Sequence, residues 1–372
     1  MKLTATRAAL LKQLGNITRI VEKRNTIPIL SNVKLTAEGA RLGIEGTDLD
    51  RTAIGDCAAQ IATPGTLTAP AAMLHDIVRK LPEGEISLEA SDATLTVKAG
   101  RSRFQLQILP SEDYPDLAIG PMSHRFEIAG PALLRLIDDA QFAISTEETR
   151  FYLNGIYLHT VDAERTLLRA VATDGHRLAR IEMEAPEGAQ GMPGVIVPRK
   201  TVAEVVRLLK DHADEEHGRV TVELSPQKIR FSIAGIVLIS KLIDGTFPDY
   251  QRVIPQANDK RLTVETPALV AAVDRVSTVS GESRRALRMA IDEGRITLTV
   301  RDPDHGEATE EVEADYDGPS VEIGFNARYL AEILSHAGGD TVLIKIDNAG
   351  APAVFTSREG APALFVLMPM RV

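Results

Sequence analysis

The hydrophobic positions of the 372-residue chain predict a first set of three related helices. In each, a strand-like run precedes apolar residues spaced at i, i+4 and i+7, the spacing of the buried face of an amphipathic helix. Pro131 and Pro267 stand where a first-turn proline is tolerated. The apolar positions are Leu10, Leu14, Ile17 and Val21 in the first helix, Leu133, Ile137, Ala140 and Ile144 in the second, and Leu269, Val273 and Val276 in the third.

A second set of three predicted helices alternates with the first. Their apolar residues follow i, i+3, i+4 and i+7 spacing from Leu74, Val202 and Leu330, which are two identical intervals of 128 residues. Such regular spacing indicates an internal repeat. Four positions before Leu74, Val202 and Leu330 stand residues that suit a helix start, namely Pro70, Pro198 and Asn326.

The segments between these helices alternate apolar and polar residues, as half-buried strands do. Residues 220–224 and 296–300 are examples, and Pro82-Glu83-Gly84 is a turn signal of the kind that separates them. One strand, one helix and several antiparallel strands are therefore predicted to recur six times. We predict an α+β fold of three similar domains, each with two strand-helix-strands units, at 1–122, 123–255 and 256–372.

Composition excludes several classes of protein. Hydrophobic residues make up 44% of the chain and charged residues 25%, as in ordinary globular proteins. We expect no membrane span, because about 18 consecutive apolar residues are needed, and no signal peptide, because the N-terminal charges precede no apolar stretch. The single cysteine, Cys57, cannot form an internal disulfide or a cysteine-based zinc site. We therefore expect a cytoplasmic protein without metal or other cofactor.

The net charge of −10 argues against a simple basic nucleic-acid binder, but the charge is unevenly distributed. The outward positions in and next to the six predicted helices hold 14 basic and 8 acidic residues, or +6, so the remainder carries −16. Such a layer suits sequence-independent contact with duplex phosphates, although an ordinary solvated helix face would carry similar charges. The candidate DNA contacts in this layer are Arg7, Lys12, Arg79, Lys80, Arg199, Lys200, Arg207 and Lys210.

Motifs of enzyme chemistry are absent from the sequence, including the phosphate loop, the dinucleotide fingerprint and the nucleophile elbow. The most enzyme-like string is Thr173-Asp174-Gly175-His176-Arg177, in which Asp174 and His176 could act as an acid–base pair. A polar turn between strands explains the same string. Two alternatives stay open: a metal-free hydrolase, and an architectural DNA-bending protein, which would need apolar wedges that we do not find.

The C-terminal segment, residues 364–372, is apolar to its end. A final core strand accounts for Leu364 to Leu367. It accounts less well for Met368-Pro369-Met370, because proline cannot donate to a sheet ladder. Methionines around a proline suit an adaptable peptide-binding surface.

Several strings give the chain a resemblance to a known family. It resembles the bacterial sliding clamps, the beta subunits of DNA polymerase III, over its full length. The resemblance implies a DNA clamp fold in a head-to-tail homodimeric ring, with helices lining the hole and antiparallel sheets outside. It implies that the ring encircles duplex DNA and confers processivity without chemistry. The strings include Thr26–Asn32, Gly46–Asp50, Gly100–Phe104, Ala172–Ala179, Phe247–Tyr250 and Met368–Arg371.

The resemblance also implies a cleft between the second and third domains that binds short linear peptides. Its users in the family are the polymerase III catalytic subunit, the clamp loader complex, other polymerases, mismatch-repair proteins and ligase. The matching positions are Leu153, Thr173, Gly175, His176, Arg177, Leu178, Pro248, Arg252, Val253, Asn326, Tyr329, Val366, Met368, Pro369, Met370 and Arg371.

The resemblance places Arg24 on a loop that contacts duplex DNA. A second such loop carries Glu147 and Glu148 here, a departure that disfavours phosphate contact. For the dimer, the resemblance implies one side formed by Phe104 with Arg101 and Arg103. The opposing side is implied to comprise Thr278, Val279, Glu307, Glu310, Glu311 and Glu313.

Overall fold

The computed structural model describes residues 1–22, 26–116, 120–212, 218–279, 281, 286–358 and 360–371. All six predicted helices occur within these ranges. Two predicted positions, Val21 and Ile144, are buried but lie beyond the ends of their helices. The first helix ends at Ile17, where the capping Thr18 donates its N–H to the carbonyl of Leu14 and the chain then turns. The helices are α1 (Arg7–Ile17), α2 (Ala71–Lys80), α3 (Gly130–Gln141), α4 (Arg199–Asp211), α5 (Thr266–Ser277) and α6 (Ala327–Ala337).

The predicted helix starts are confirmed. Pro70 and Asn326 directly precede α2 and α6, and Pro198 directly precedes α4. Asn326 is a true N-cap, since its side-chain oxygen accepts hydrogen bonds from the amides of Arg328 and Tyr329. Pro131 and Pro267 occupy the second positions of α3 and α5.

Strands fill the intervals between the helices, and the sixfold order of one strand, one helix and three or four further strands is confirmed. The strands are β1 (Lys2–Thr6), β2 (Asn32–Glu38), β3 (Arg41–Thr47), β4 (Arg51–Ala58), β5 (Gln60–Thr63), β6 (Gly65–Pro70), β7 (Glu85–Ser91), β8 (Thr94–Ala99), β9 (Ser102–Gln107), β10 (His124–Ala129), β11 (Gly155–Asp162), β12 (Thr166–Thr173), β13 (Arg177–Glu184), β14 (Val195–Pro198), β15 (Arg219–Leu224), β16 (Lys228–Ile233), β17 (Ile236–Lys241), β18 (Lys260–Glu265), β19 (Ala286–Asp292), β20 (Arg295–Asp302), β21 (Gly306–Glu313), β22 (Val321–Asn326), β23 (Thr341–Ile346), β24 (Ala353–Thr356) and β25 (Ala363–Leu367).

The chain divides into two compact units. Unit 1 comprises Met1–Leu133, Pro186–Ala189 and Ala203–Leu242, and unit 2 comprises Leu134–Ala185, Gln190–Val202 and Ile243–Val372. Unit 1 holds a five-stranded sheet (β5-β1-β7-β8-β9) and an eight-stranded sheet (β10-β15-β16-β17-β4-β3-β2-β6). Unit 2 holds an eight-stranded sheet (β14-β11-β12-β13-β25-β24-β23-β18) and a four-stranded sheet (β21-β20-β19-β22).

Two strand pairs explain why these units differ from the three predicted domains. In unit 1, β4 from the first predicted domain pairs antiparallel with β17 from the second. In unit 2, β13 from the second domain pairs antiparallel with β25 from the third. Each pair continues one sheet across a predicted boundary. The boundaries at 122 and 255 therefore stay predictions.

The core of each unit is aliphatic, as the absence of tryptophan requires. In unit 1, α1 packs on α2, and in unit 2, α5 packs on α6. The largest fully buried side chains are Phe325, Phe355 and Phe365 of unit 2. None of the helices in the described part of the chain is long and apolar enough to cross a membrane.

Candidate functional site

The turn between β12 and β13 carries the enzyme-like string of the sequence. Asp174 Oδ1 accepts hydrogen bonds from the amides of His176 (2.9 Å) and Arg177 (3.0 Å). Thr173 Oγ1 donates to the carbonyl of Arg177 (2.7 Å) and accepts from the amide of Gly175 (3.1 Å). Gly175 has a φ of +89°, which favours glycine. The Asp174 carboxylate therefore fixes a turn rather than orienting the His176 ring.

The same turn recurs between β3 and β4. Asp48 Oδ1 accepts from the amides of Asp50 (3.1 Å) and Arg51 (2.7 Å), and Thr47 Oγ1 donates to the Arg51 carbonyl (2.8 Å). No functional site is predicted at this second copy. The hydrogen bonds shared by both turns therefore belong to the repeated fold.

A related turn follows β20, where Asp302 Oδ1 accepts from the amides of Asp304 (2.9 Å) and His305 (3.1 Å). The bond from the Asp304 amide, together with the His305 side chain, lowers the pKa of Asp302 to about 2. No cluster of three or more His, Cys, Asp or Glu side chains able to hold a metal occurs within the described ranges.

Arg177 connects the turn to α6. Its side chain is buried and donates to Asp174 Oδ2 (3.1 Å) and to the carbonyl of Phe142 (2.6 Å), and it pairs with Glu332. The guanidinium carbon lies 4.2 Å from the centroid of the Tyr329 ring, a cation–π distance. These contacts hold the wall formed by the turn against the helix.

The His176 ring stacks on Tyr329, with ring centroids 6.3 Å apart. His176 and Gly175 are both exposed. His176 also provides an anchor for the C-terminal segment, because the Met368 N–H donates to its carbonyl (2.9 Å). The turn, Tyr329 and the C-terminal segment therefore meet at one place in unit 2.

The C-terminal segment is held by its backbone while its side chains stay accessible. After Met368, the Met370 N–H donates to the carbonyl of Gly324 (2.9 Å). Met368 is 42% exposed and Met370 is 38% exposed. Pro369, which has no N–H, lies between these two hydrogen bonds.

Below the turn lies a buried cluster that includes Leu153, Leu178 and Val366. Phe247 and Tyr250 belong to the same cluster and flank Pro248 in sequence. A short 3-10 helix, Tyr250–Val253, carries Arg252, which pairs with Asp249 (2.8 Å), and Val253, which is 54% exposed. Arg371 is exposed.

The structure thus brings one group of predicted cleft residues into mutual contact and places others around it. Direct contacts link the turn to α6 and to the C-terminal segment, while Leu153, Leu178 and Val366 share the cluster beneath. Sequence reasoning missed Phe142 and Glu332, which hold Arg177. The sequence does not reveal the pairing of Glu332 with Arg177, because the two residues are 155 positions apart.

The basic residues of the helices fall into two groups. Lys12, Lys80, Arg199, Lys200 and Lys210 have exposed side chains, and Arg79 is exposed while pairing with Asp76 (3.0 Å). Arg24 lies outside the described residues. Within the helix bounds, 11 basic and 7 acidic residues give a net charge of +4. The sequence count of +6 also included Arg19 and Glu22, which lie beyond the end of α1, and positions 23 and 24, which are not described.

Arg7 and Arg207 are engaged within the fold. Arg7 donates to the carbonyls of Val78 (3.0 Å) and Arg79 (2.6 Å) at the end of α2, as a helix C-cap does. Arg207 pairs with Asp211 (2.6 Å) and with Glu204, which is buried. A role in DNA contact stays a prediction for both arginines.

Most of the residues predicted for the dimer lie on or beside the edge strands of two sheets. Phe104 is 39% exposed on β9, the edge strand of the five-stranded sheet, with Arg103 beside it and Arg101 in the preceding turn. β21 is an edge strand of the four-stranded sheet and carries the acidic residues. Thr278 and Val279 directly follow α5.

The acidic residues of β21 already have partners within the chain. Glu310 accepts from Arg275 Nε (3.0 Å), and this hydrogen bond lowers the pKa of the Glu310 carboxyl. Glu307 pairs with Arg301 (2.8 Å) and Glu311 approaches Arg295 at 3.9 Å. Glu313 is exposed.

Comparison with protein families identifies the class to which this fold belongs. Three family models match in succession: the N-terminal domain of the DNA polymerase III beta subunit at residues 1–118, its central domain at 127–249 and its C-terminal domain at 251–371. The chain belongs to the DNA polymerase III beta subunit family, the bacterial sliding clamps.

Individual relatives match over their full length. The beta sliding clamp of Caulobacter vibrioides is 51% identical and that of Escherichia coli K12 is 36% identical, each with 100% of both chains covered. Among solved structures, the Bartonella birtlesii sliding clamp bound to griselimycin has a TM-score of 0.96 at 47% identity, again covering 100% of both chains. The Caulobacter crescentus clamp has a TM-score of 0.94 at 51% identity.

These matches confirm the predicted three-domain clamp fold and the predicted function in DNA replication. The protein is a sliding clamp, a non-catalytic processivity subunit of DNA polymerase III, with DNA and polymerase as partners. The hydrolase hypothesis for Asp174 and His176 is therefore wrong. The bonds of Asp174 give the physical reason, because its carboxylate is committed to backbone amides and to Arg177.

Proposed function

We propose that two copies of this chain close head to tail into a ring around duplex DNA. We propose further that the cleft around His176, Tyr329 and Met368 holds partner proteins on that ring. The partners are the polymerase III catalytic subunit, the clamp loader complex, other polymerases, mismatch-repair proteins and ligase. Because all of these act on the bacterial chromosome, we assign the protein to the cytoplasm.

The internal repeat supports the ring. The six repeat units begin at β1, β6, β10, β14, β18 and β22. Two junctions within the chain pair strands from different units. The last strand of the fourth unit, β17, pairs with β4, the second-last strand of the first, and the last strand of the sixth unit, β25, pairs with β13, the last strand of the third. The last strands of the two remaining units, β9 of the second and β21 of the fifth, are both edge strands of their sheets. A second copy can complete this third junction by pairing its β21 with β9. The contact joins unlike surfaces, so repeating it produces a closed ring when the rotation closes.

The register of the two existing junctions extends to the third. At each, a large residue at the third position of one strand faces an alanine at the third position of the other. Leu238 faces Ala53, and Phe365 faces Ala179. The third residues of β9 and β21 are Phe104 and Ala308. We propose that Phe104 packs opposite Ala308 of a second copy, which explains why this aromatic ring is exposed in one chain.

Charge complementarity supports the same pairing. The β9 edge carries Arg101 and Arg103, whereas β21 carries four glutamates. Opposite charges on facing edges favour the head-to-tail arrangement over contact between like edges. The intrachain partners of the glutamates are exposed arginines, which hold them less firmly than buried pairs would.

The combination of exposed methionines and fixed backbone carries the peptide proposal. Met368 and Met370 present flexible, polarizable side chains close to a buried apolar cluster, and the exposed His176 supplies a polar group that can orient a ligand. The Bartonella relative that binds griselimycin has the same fold at 47% identity. Griselimycin is therefore a suitable probe of this chain.

The test is deletion of residues 370–372. We expect griselimycin and a peptide from the polymerase III catalytic subunit to bind the truncated protein at least tenfold more weakly in calorimetry, because Met370 and its anchor on Gly324 are lost. Sedimentation and the thermal midpoint should stay near those of the full chain, because β25 ends earlier, at Leu367. Undiminished affinity in the truncated protein would show that the cleft is elsewhere.

A further inference from the structure

Arg150 lies beside the wall of the proposed cleft, and the sequence alone gave this residue no role. One of its guanidinium nitrogens, Nη2, donates to the carbonyl of Asp174 (3.1 Å) in the Thr173–Arg177 turn. The same guanidinium donates to both carboxylate oxygens of Glu147, at 2.8 and 2.6 Å. Arg150 therefore connects the Thr173–Arg177 turn to Glu147, in the loop that precedes Arg150.

The loop that holds Arg150 is itself anchored to the cleft cluster. The Ser145 N–H donates to the carbonyl of Leu153 (3.1 Å), and Ser145 Oγ accepts from the Glu147 N–H (3.2 Å). The backbone leaves helical geometry at Arg150, with φ −108° and ψ +50°, inside the 3-10 helix Glu148–Leu153. Glu147 and Arg150 are thus fixed relative to Leu153, a residue of the buried cluster.

The second copy of the turn provides an internal control. The Thr47–Arg51 turn has the same aspartate and threonine hydrogen bonds. Among the residues that the structure describes, no side chain donates to the carbonyl of Asp48. The turn therefore forms without such an arginine, and the contact from Arg150 is an addition found at the cleft.

Gly175 makes room for this addition. A Cβ atom at position 175 would lie 2.7 Å from Nη1 of Arg150, so a side chain there would require the guanidinium to shift from its present position. The equivalent position in the other turn is Leu49, which adopts a φ of +74° although it is not glycine. Glycine at position 175 therefore suits the positive φ of the turn and also leaves the Arg150 guanidinium in place.

We propose that Arg150, held by Glu147, is a positioning residue of the cleft that fixes the Gly175–His176 wall for an incoming peptide. This inference rests on the proposed function. It gives Glu147, one of the two acids that depart from the family's DNA-contacting loop, a role on the peptide side of the molecule.

The primary test is griselimycin binding to the full-length protein with Arg150→Ala. We expect affinity to fall about fivefold, the equivalent of one hydrogen bond of about 1 kcal/mol. The matched control is Arg165→Ala, which removes an exposed arginine that pairs with Glu184 on the same sheet. Affinity should not change in the control, and thermal midpoint and sedimentation should stay unchanged in both variants.

Non-additivity separates positioning from a general loss of stability. Glu147→Gln should weaken binding by a smaller factor, because Arg150 keeps its bond to Asp174. Adding Glu147→Gln to Arg150→Ala should cause no further loss, since Glu147 acts only through Arg150. Arg150→Lys should restore part of the affinity, because one ammonium can reach only one of the two partners.

The outcomes also distinguish this inference from the proposed function. If wild-type protein did not bind griselimycin, or if the truncation at 370 had no effect, the cleft itself would be wrong. If wild type bound and the truncation abolished binding, but Arg150→Ala bound equally well or more tightly, only the role of Arg150 would be overturned. If both single substitutions reduced affinity additively, Glu147 would not act through Arg150.

Discussion

His159 contacts Tyr250, the first residue of the short 3-10 helix that carries Arg252 and Val253. Its ring stacks on Tyr157 with centroids 4.4 Å apart, and its Nε2 lies 3.1 Å from the hydroxyl of Tyr250. Burial, and then the charge of Arg169, lower the pKa of His159 to about 4 from an ordinary value of 6.5. The folded protein therefore prefers neutral His159, and Tyr250, its partner, begins the short helix of the cleft.

This depressed pKa predicts a specific loss of stability in acid. Because the folded-state pKa lies below the unfolded value, the contribution of His159 is fully present above about pH 6.5 and is lost as the pH falls towards 4. At pH 5 the cost is about 2 kcal/mol. In His159→Phe, the decrease in unfolding free energy between pH 7 and pH 5 should be smaller by that amount, measured by denaturant titration.

The control for this prediction is His124→Phe, at a half-buried histidine that begins edge strand β10. This substitution measures what replacing a histidine by phenylalanine does elsewhere in the fold. An equal loss of stability between pH 7 and pH 5 in wild type and His159→Phe would mean that His159 is not held neutral by its surroundings.

Single residues were the hardest level to predict from sequence. Arg7 and Arg207 look like surface cations in the sequence, yet each is committed to partners that a helix pattern does not reveal. The Thr-Asp-x-x-Arg string predicts a turn at residues 173–177. The same string at residues 47–51 predicts a second such turn, which the sequence analysis did not include. Arg150 has no signal in the sequence, because its contacts with Glu147 and with the turn depend on folded geometry.

At the scale of elements, local periodicity was sufficient to find all six helices and the repeat order. Helix ends were less certain, since Val21 and Ile144 continue the apolar spacing after the helices have stopped. The β4–β17 and β13–β25 pairs were not predicted. They join strands nearly half the chain apart, and alternation along a strand says which face is buried but not which strand lies beside it.

The repeated register yields a prediction about the third junction. If Phe104 packs opposite Ala308 of a second copy, Ala308→Phe should place two aromatic rings in one space and shift sedimentation towards monomer at micromolar concentration. Phe104→Ala should also weaken the dimer, by about 2–4 kcal/mol for a buried aromatic anchor. The double variant, with the ring moved from one strand to the other, should recover part of the dimer.

Recovery is the informative result, because two independently damaging substitutions would make the double variant worse than either. The matched control is Thr309→Phe, on the opposite face of edge strand β21. Ala290→Phe would be a poor control, because β19 lies inside its sheet. Wild-type sedimentation of Ala308→Phe would refute the proposed register.

At the scale of the whole molecule, charge is separated between elements. The helices carry +4 within a chain of −10, so the rest carries −14. Attraction between the helices and phosphates is therefore modest. Binding to DNA in open solution should be weak and sensitive to salt, because few phosphates are neutralised at once. Such a protein needs another means of staying on DNA for long, and a closed ring provides one.

A ring around DNA is retained by topology rather than by the strength of its contacts. After loading, the protein should therefore remain on nicked circular DNA at high salt, where phosphate contacts are screened. Linearising the same circle should release it, because the ring slides off the ends. Gel filtration of labelled protein before and after cleavage measures both states. Proteins blocking the two ends of the linear DNA should restore retention. Equal retention on open circular and unblocked linear DNA would contradict the ring, and it would favour a DNA-bending protein, which holds duplex by direct contact and needs no closed path.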